Sequence, residues 1–474
     1  MSTDSPTQRS TGSIGALVAA LLAAIFAFQL NASMLSPVLA TMERQLDATA
    51  AQIGLSQTAF FAAAALFSLF LPRWGDLAGR KRLMIIMLVI TAVGSAISAL
   101  APNVGILSIG RVVQGVSGPI VPLALIMLRV QVPDSRQYAK LMAILTAING
   151  GIAGVDALLG GWLAQNYGFR SVFWVMAVVC VLAVFAIIGG TIESRGDEDM
   201  PMDWAGVFAL VVVLGSLYFA FDQAGRLGDA NWLLVGGLIV LGAAAFAVFW
   251  NIEKRVAHPL VTIHYMKQRR TWALLSTTLL TMTGVFAVMN GLIPNLAQDA
   301  AVGGGIPAGV VSWWTLTPYA IAGLIMGPIS GQLASRFGYR AILQAGLILS
   351  GGGLVATAFL TSTPTPLVFL VISIFVGITY AGMCNIMLNG LGIVLSPPDN
   401  RGYLPGMNSG AFNLGAGLSF ALLFGMQTVF GDMFTPLTGY RAGILGGAVL
   451  ILLALLTSFL IPHPSDDEEI AAAH

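Results

Sequence analysis

Apolar residues in this chain come in long uninterrupted runs, and the short stretches between them gather the charges. A run of about 20 apolar residues lets an α-helix cross roughly 30 Å of hydrocarbon. Fourteen such runs are predicted: Ile14 to Val38, Ile53 to Pro72, Met84 to Leu100, Val104 to Leu128, Leu141 to Leu163, Ser171 to Ile192, Trp204 to Phe221, Trp232 to Trp250, Trp272 to Leu296, Ala308 to Gly331, Ala341 to Leu360, Pro366 to Leu395, Leu404 to Phe430 and Ala442 to Ile461. They are rich in Ala, Leu, Gly and Val and do not alternate, so spanning helices are expected and a barrel is not. The spacing divides the chain into a tail over 1–13, six helices over 14–192, a linker at 193–203, two helices over 204–252, a loop at 253–271, six more helices over 272–461 and a tail over 462–474. The opening polar segment contains Arg9, and the apolar run behind it continues past any cleavage region, so it reads as a first helix and not as a removed signal.

Composition agrees. With 57% hydrophobic and only 9% charged residues, a chain of this length has more apolar material than a soluble core could bury, so its solvent is lipid. A formal charge of +1 supplies no basic field for nucleic acid. The distribution of charge says more. With the N-terminus inside, the outer side keeps only Arg44, Arg170, Arg226 and Arg441, Arg111 lies within a span, and every other Lys and Arg falls inside. That asymmetry predicts cytoplasmic N- and C-termini in a cell membrane and an even number of spans. Cys180 and Cys384 sit in apolar runs without ligand-like spacing and read as inert thiols. No metal, cofactor or ATP site is expected, and there is no GxxxxGK[ST] sequence. The few polar groups in the spans form no catalytic cluster, so an enzyme is not expected.

An internal repeat appears when Pro72 to Lys81 is laid on Gly331 to Arg340, which pairs Asp76 with Ser335 and Gly79 with Gly338. The first copy carries Gly75, Asp76, Gly79, Arg80 and Lys81, and the second carries Gly331, Ser335, Arg336, Gly338 and Arg340. The glycines suit a tight turn, the carboxylate could cap the next helix, and the cations hold the loop at the surface. The fourth run carries Leu107, Arg111, Gln114, Gly115 and Gly118, with Arg and Gln on one face and two glycines for close packing. Together with the pair beginning MDWAGVFAL, these motifs resemble the major facilitator superfamily, and within it the 14-helix drug:proton antiporter branch. The resemblance implies an all-α polytopic membrane protein of the major facilitator fold, with 14 transmembrane helices as two six-helix bundles plus a central helical pair. It also implies that the repeated loop latches the bundles as they rock.

Two stretches of the first half, in the first and fifth helices, depart from that branch. Its first helix usually carries an acid where Asn31 stands, and its fifth-helix signature is altered to DALLGG, placing Asp156 in a span. Arg111 and Asp156 each lie seven residues below the outer face, roughly 10 Å. They are expected to form a buried pair whose opening is coupled to protonation of Asp156. Candidate substrate-binding residues are Gln29, Asn31, Arg111, Gln114, Asn149, Asn290, Tyr380, Asn385 and Asn389, with Trp313, Trp314 and Tyr319 as possible stacking surfaces. The expected function is secondary, proton-linked transport of a small organic solute by alternating access, with a single chain as the working unit. Drug or metabolite export is the leading direction. Uptake by symport or facilitated diffusion is the second reading, prompted by Asn31 and Asp156, and lipid translocation or a non-transporting receptor is the reading from another class.

Overall fold

The computed structural model describes residues 14–132, 134–196, 202–224, 230–256, 259–360, 364–397 and 403–463. The tail over 1–13 and most of the tail over 462–474 lie outside the described residues, as do Arg226, His258, Arg401 and His474. We number the spanning helices α1 Ile14–Leu46, α2 Ala50–Ala78, α3 Arg80–Leu100, α4 Val104–Gln131, α5 Ser135–Tyr167, α6 Phe169–Gly190, α7 Trp204–Ala224, α8 Trp232–Glu253, α9 Arg269–Gln298, α10 Ala308–Phe337, α11 Tyr339–Leu360, α12 Pro366–Val394, α13 Tyr403–Met433 and α14 Pro436–Ser458. Thirteen of them satisfy length and hydropathy for crossing a membrane. The other is α5, a continuous helix of 33 residues. The fourteen predicted spans are therefore all present.

Their ends differ from the hydrophobic runs. The first span does not stop at Val38: a short 3₁₀ turn at Ser36–Val38 carries it on into Leu39–Leu46. The second continues past Pro72 to Ala78, because a proline inside a long helix removes one backbone bond but leaves the neighbouring turns intact. Hydropathy ends where lipid ends, whereas backbone hydrogen bonding continues into the polar margin until a cap stops it. At the start of α2 that cap is a full capping box, with Thr49 and Gln52 satisfying each other's backbone N–H. Several spans change pitch midway, with a 3₁₀ turn at Gly115–Ser117 in α4 and π-type turns at Val288–Leu292 in α9, Gly377–Cys384 in α12 and Phe420–Phe424 in α13. Such irregularities free backbone groups at membrane depth and are tolerated where protein covers them. Most residues of these segments are buried, as that requires.

The halves repeat in contact as well as in sequence. With each helix of the second half counted eight after its counterpart in the first, the packing of α2 on α13 is the image of α10 on α5, and both contacts are present. The pair α7 and α8 packs mainly on itself, and α7 leans on α2 through Trp204 against Phe70 and Trp74 at 6.2 and 6.4 Å. Only 17% of the most apolar window of α8 is buried, as befits a helix facing lipid at the edge of the bundles.

The candidate transport pathway

The two repeated loops share a backbone conformation. Gly79 has φ 110° and Gly338 φ 83°, the left-handed side of φ space where a Cβ is disfavoured, and each ends one helix immediately before the next begins. Capping is not supplied by Asp76. Its carboxylate instead pairs with Arg80 Nε at 2.8 Å. The first turn of α3 is capped by Glu193, arriving from the end of α6, which accepts from the N–H groups of Lys81 at 2.9 Å and Arg82 at 3.1 Å. An anion at a helix N-terminus satisfies donors that the helix itself cannot. In the second copy Arg340 donates to the carbonyls of Ile461 and Phe459, so that loop is tied to the end of α14, while Ser335 bonds locally to Gln332 and Gly331 faces open space. Arg336 lies over the Phe337 ring.

Arg111 is fully buried, and the expected ion pair with Asp156 is not formed. The guanidinium donates to Asn31 O at 3.1 Å, Gln114 Oε1 at 2.8 Å and Gln57 Oε1 at 2.9 Å, and it lies 4.2 Å over the Phe60 ring. Asp156 instead accepts from Ser33 Oγ. Equal depth was insufficient for pairing. Asn31 and Ser33 are two residues apart on α1, about 200° around the helix, so groups meeting them approach from opposite sides. Gly115 and Gly118 do allow the close approach expected of them: a Cβ at either would lie within 3 Å of α2 backbone atoms.

Two further candidates belong to the Arg111 network. Gln114 donates to Ser95 Oγ at 2.8 Å, and Asn31 donates to Ala27 O at 2.8 Å and faces Cys180. Both are fully buried inside the first bundle, where their hydrogen bonds join helices. Cys180 and Cys384 are buried free thiols. Tyr380 is also buried, its hydroxyl directed at Met282 Sδ at 2.7 Å. Asn389 is exposed and donates to Asn385 O and Oδ1, as their four-residue spacing requires. The side chain of Asn149 lies outside the described residues. Trp313 is exposed, while Trp314 and Tyr319 are half-buried.

Gln29 and Asp156 come together. Gln29 Nε2 donates to Ser33 Oγ at 3.0 Å, Ser33 passes the bond on to Asp156 Oδ2, and Asp156 Oδ1 is buried with no hydrogen-bond partner. Around this chain the bundles meet. Thr317 Oγ1 of α10 donates to Gly154 O at 2.7 Å, and Ser312 Oγ to Ala157 O at 3.2 Å, on either side of Asp156. Ser36 donates to Asn290 Oδ1 at 3.4 Å, Gln298 to Pro37 O at 3.1 Å, Asn295 to Glu43 Oε1 at 2.7 Å, and Gly309 N to Gln165 Oε1 at 2.7 Å. Thr58 reaches Gly417 O at 2.8 Å, beside an aromatic contact in which Phe61 lies 5.2 Å from Phe286 and 6.3 Å from Phe420. All these bonds lie in the cation-poor half of the spans or near their middle, so the bundles are closed against each other at that end.

Ser33, Gln57, Glu43, Asn295 and Glu193 escaped the sequence reading. A hydroxyl or amide in a span carries little signal alone, although Glu193 directly after a span and Asn295 inside one were visible as polar interruptions.

The family follows from similarity to known proteins. A family model described as Major Facilitator Superfamily matches residues 21–420 and 274–473. The chain belongs to the major facilitator superfamily. It is 56% identical over 465 residues to the uridine/deoxyuridine transporter of Lactococcus lactis subsp. cremoris, covering 96% of each chain. It is 25% identical over 476 residues to the quinolone resistance protein NorB of Staphylococcus aureus, covering 95% of this chain and 97% of that one. Among solved structures it resembles a mutant of the nucleoside transporter NupG, with TM-score 0.62, 14% identity and coverage of 94% and 99%. At that identity the likeness to NupG speaks for the fold alone. This major facilitator protein is thus a multi-pass membrane transporter.

Proposed function

We propose that the chain takes up pyrimidine nucleosides of the uridine and deoxyuridine type by proton symport, the solute passing between two rocking bundles. The observation that carries this reading is the 56% identity, spread over 96% of both chains, to a uridine/deoxyuridine transporter. It favours uptake, the second direction of the sequence reading, over drug export. Export rests on the likeness to quinolone and multidrug resistance proteins at 25–26% identity. The polar chain Gln29–Ser33–Asp156 supports a hydroxylated solute, because the free Asp156 Oδ1 is an acceptor that a ribose hydroxyl would satisfy. Phe286 and Phe412, half-buried and 6.1 Å apart, offer faces to a planar base. Asp156 is also our candidate proton carrier, since its position between α1, α5 and α10 changes surroundings when α5 and α10 part. The cation-rich end is taken as cytoplasmic.

The test is uptake of labelled uridine and deoxyuridine into cells lacking their own uridine uptake, with and without an imposed inward proton gradient. Saturable uptake stimulated by the gradient is expected, and Asp156→Asn is expected to abolish the stimulation. Gradient-independent uptake identical in Asp156→Asn would remove the proton from the mechanism, and no uptake from correctly inserted protein would remove the nucleoside.

A further inference from the structure

The cation-poor end holds a carboxyl that the transport reading leaves unused. Glu43, in the extension of α1 beyond Val38, meets Asn295 near the end of α9, so this contact joins the two bundles at the mouth that is shut. Asn295 Nδ2 donates to Glu43 Oε1 at 2.7 Å. Asn295 is 1% exposed, yet its other polar atom, Oδ1, is buried without any donor. A side-chain amide and a carboxylic acid fit each other by two parallel bonds: the amide N–H donates to one carboxyl oxygen, and the acid O–H donates to the amide oxygen. The carboxylate can make only the first. With Glu43 ionised, the pair supplies no donor for Asn295 Oδ1, which stays unsatisfied.

We propose that Glu43 and Asn295 form an acid–amide latch that shuts the cation-poor mouth in the protonated form and is released when Glu43 ionises. The other groups near Glu43 supply no alternative donor to Asn295 Oδ1. Arg44, on the same helix, turns to Thr41 Oγ1 at 3.2 Å. Asp299, at the end of α9, accepts from the N–H groups of Ala301 and Val302. Arg170, at the start of α6, donates to Ala101 O at 3.0 Å. Tyr440 on α14 interacts electrostatically with Glu43 and Asp299, Arg441 beside it takes part in a further interaction, and neither donates to Asn295 Oδ1.

The sign follows from linkage. When the mouth is open, Glu43 equilibrates with the medium on that side, and closure takes up a proton. Acid on that side therefore favours closure and alkali favours opening. The device sets how readily the transporter resets to face outward, and it is distinct from Asp156, which lies deeper between α1 and α5.

A cysteine at Ser36 reports the state of the mouth, because Ser36 is 4% exposed between the bundles and the native Cys180 and Cys384 are fully buried. Full-length protein in membrane vesicles is treated with a membrane-impermeant maleimide, without substrate, at pH 6 to 8. Rates are corrected for thiol ionisation with the surface variant Ala301→Cys, and vesicles of both orientations show which side reaches the mouth. In Ser36→Cys the corrected rate is expected to rise about tenfold across this range, the equilibrium factor of one hydrogen bond to an ionisable group. Adding Glu43→Gln, which keeps both bonds of the pair without a titratable proton, is expected to hold the rate low and flat. Adding Asn295→Ala should hold it high and flat. Glu43→Gln following the same pH curve as its parent, or Asn295→Ala keeping that curve, would overturn the latch. Because no solute is present, failure of the nucleoside reading leaves this measurement unaffected.

Discussion

Arg111 shows how a charge is kept inside a membrane helix with no counter-ion among the described residues. Three neutral oxygens, from Asn31, Gln57 and Gln114, take the guanidinium protons on one side, and the Phe60 ring lies over it. A guanidinium suits this role because its fork of donors is rigid and its hydration weaker than that of an ammonium. Lysine would satisfy fewer of these oxygens from a single point. Arg111→Met should cost on the order of 3 kcal/mol, because the two glutamine oxygens would be left buried without donors. Thermal unfolding in detergent would check this, and adding Gln57→Leu should recover part of the loss. A double variant no more stable than Arg111→Met would mean that the network is not what holds the arginine. The motif and the shared face of Arg111 and Gln114 were legible from spacing. The identity of the partner was not, because depth along a helix axis says nothing of the angle around it.

At the scale of elements, the repeated loops show one backbone solution serving two different side-chain settings. Both copies turn on a glycine with positive φ, and the first is closed by a carboxylate that comes from Glu193, more than a hundred residues away. Replacing Glu193 by Ala should destabilise the start of α3 by about 1 kcal/mol, the usual size of a lost N-cap, with Gln less harmful because it keeps one acceptor. Unfolding temperatures of the two variants would check the order, and equal losses would show that the cap is not carried by acceptor oxygens. The repeat itself was readable from ten aligned residues. Which acid does the capping was not, since Asp76 and Glu193 are both compatible with the turn until α6 is placed beside α3.

For the molecule as a whole, closure at one end turns a bundle of helices into one state of a transporter. The contacts of α1 with α9, α2 with α13 and α5 with α10 lie toward the cation-poor end, and a rocking motion that separates them must break the bonds of Thr317, Ser312, Gln298 and Asn295. None of these is an ion pair. Neutral bonds of modest strength suit a joint that must open repeatedly, because parting two buried charges would leave each uncompensated. An even number of spans also requires both ends of the chain to lie on one side of the membrane. Epitope tags at the two ends of the chain should therefore show equal accessibility in sealed vesicles of known orientation, hidden in right-side-out and exposed in inverted ones. Tags found on opposite sides would contradict the fourteen-span topology and the direction proposed for the cation-rich loops.

The sequence alone determined that lipid is the solvent, how many helices cross it, which loops carry the positive charge and that the chain is built from two related halves. Those properties are written in hydrophobic length, charge and local repeats, each of which acts within a few turns of helix. Only the tertiary structure decided that Arg111 and Asp156 stand on opposite sides of α1, that Asn31 and Gln114 serve packing while Gln29 meets Asp156, and that Glu43 finds Asn295 across the closed mouth. These pairings depend on how each helix is rotated about its own axis. That rotation is set by packing against neighbours as far as hundreds of residues away in sequence, and no local pattern in the chain records it.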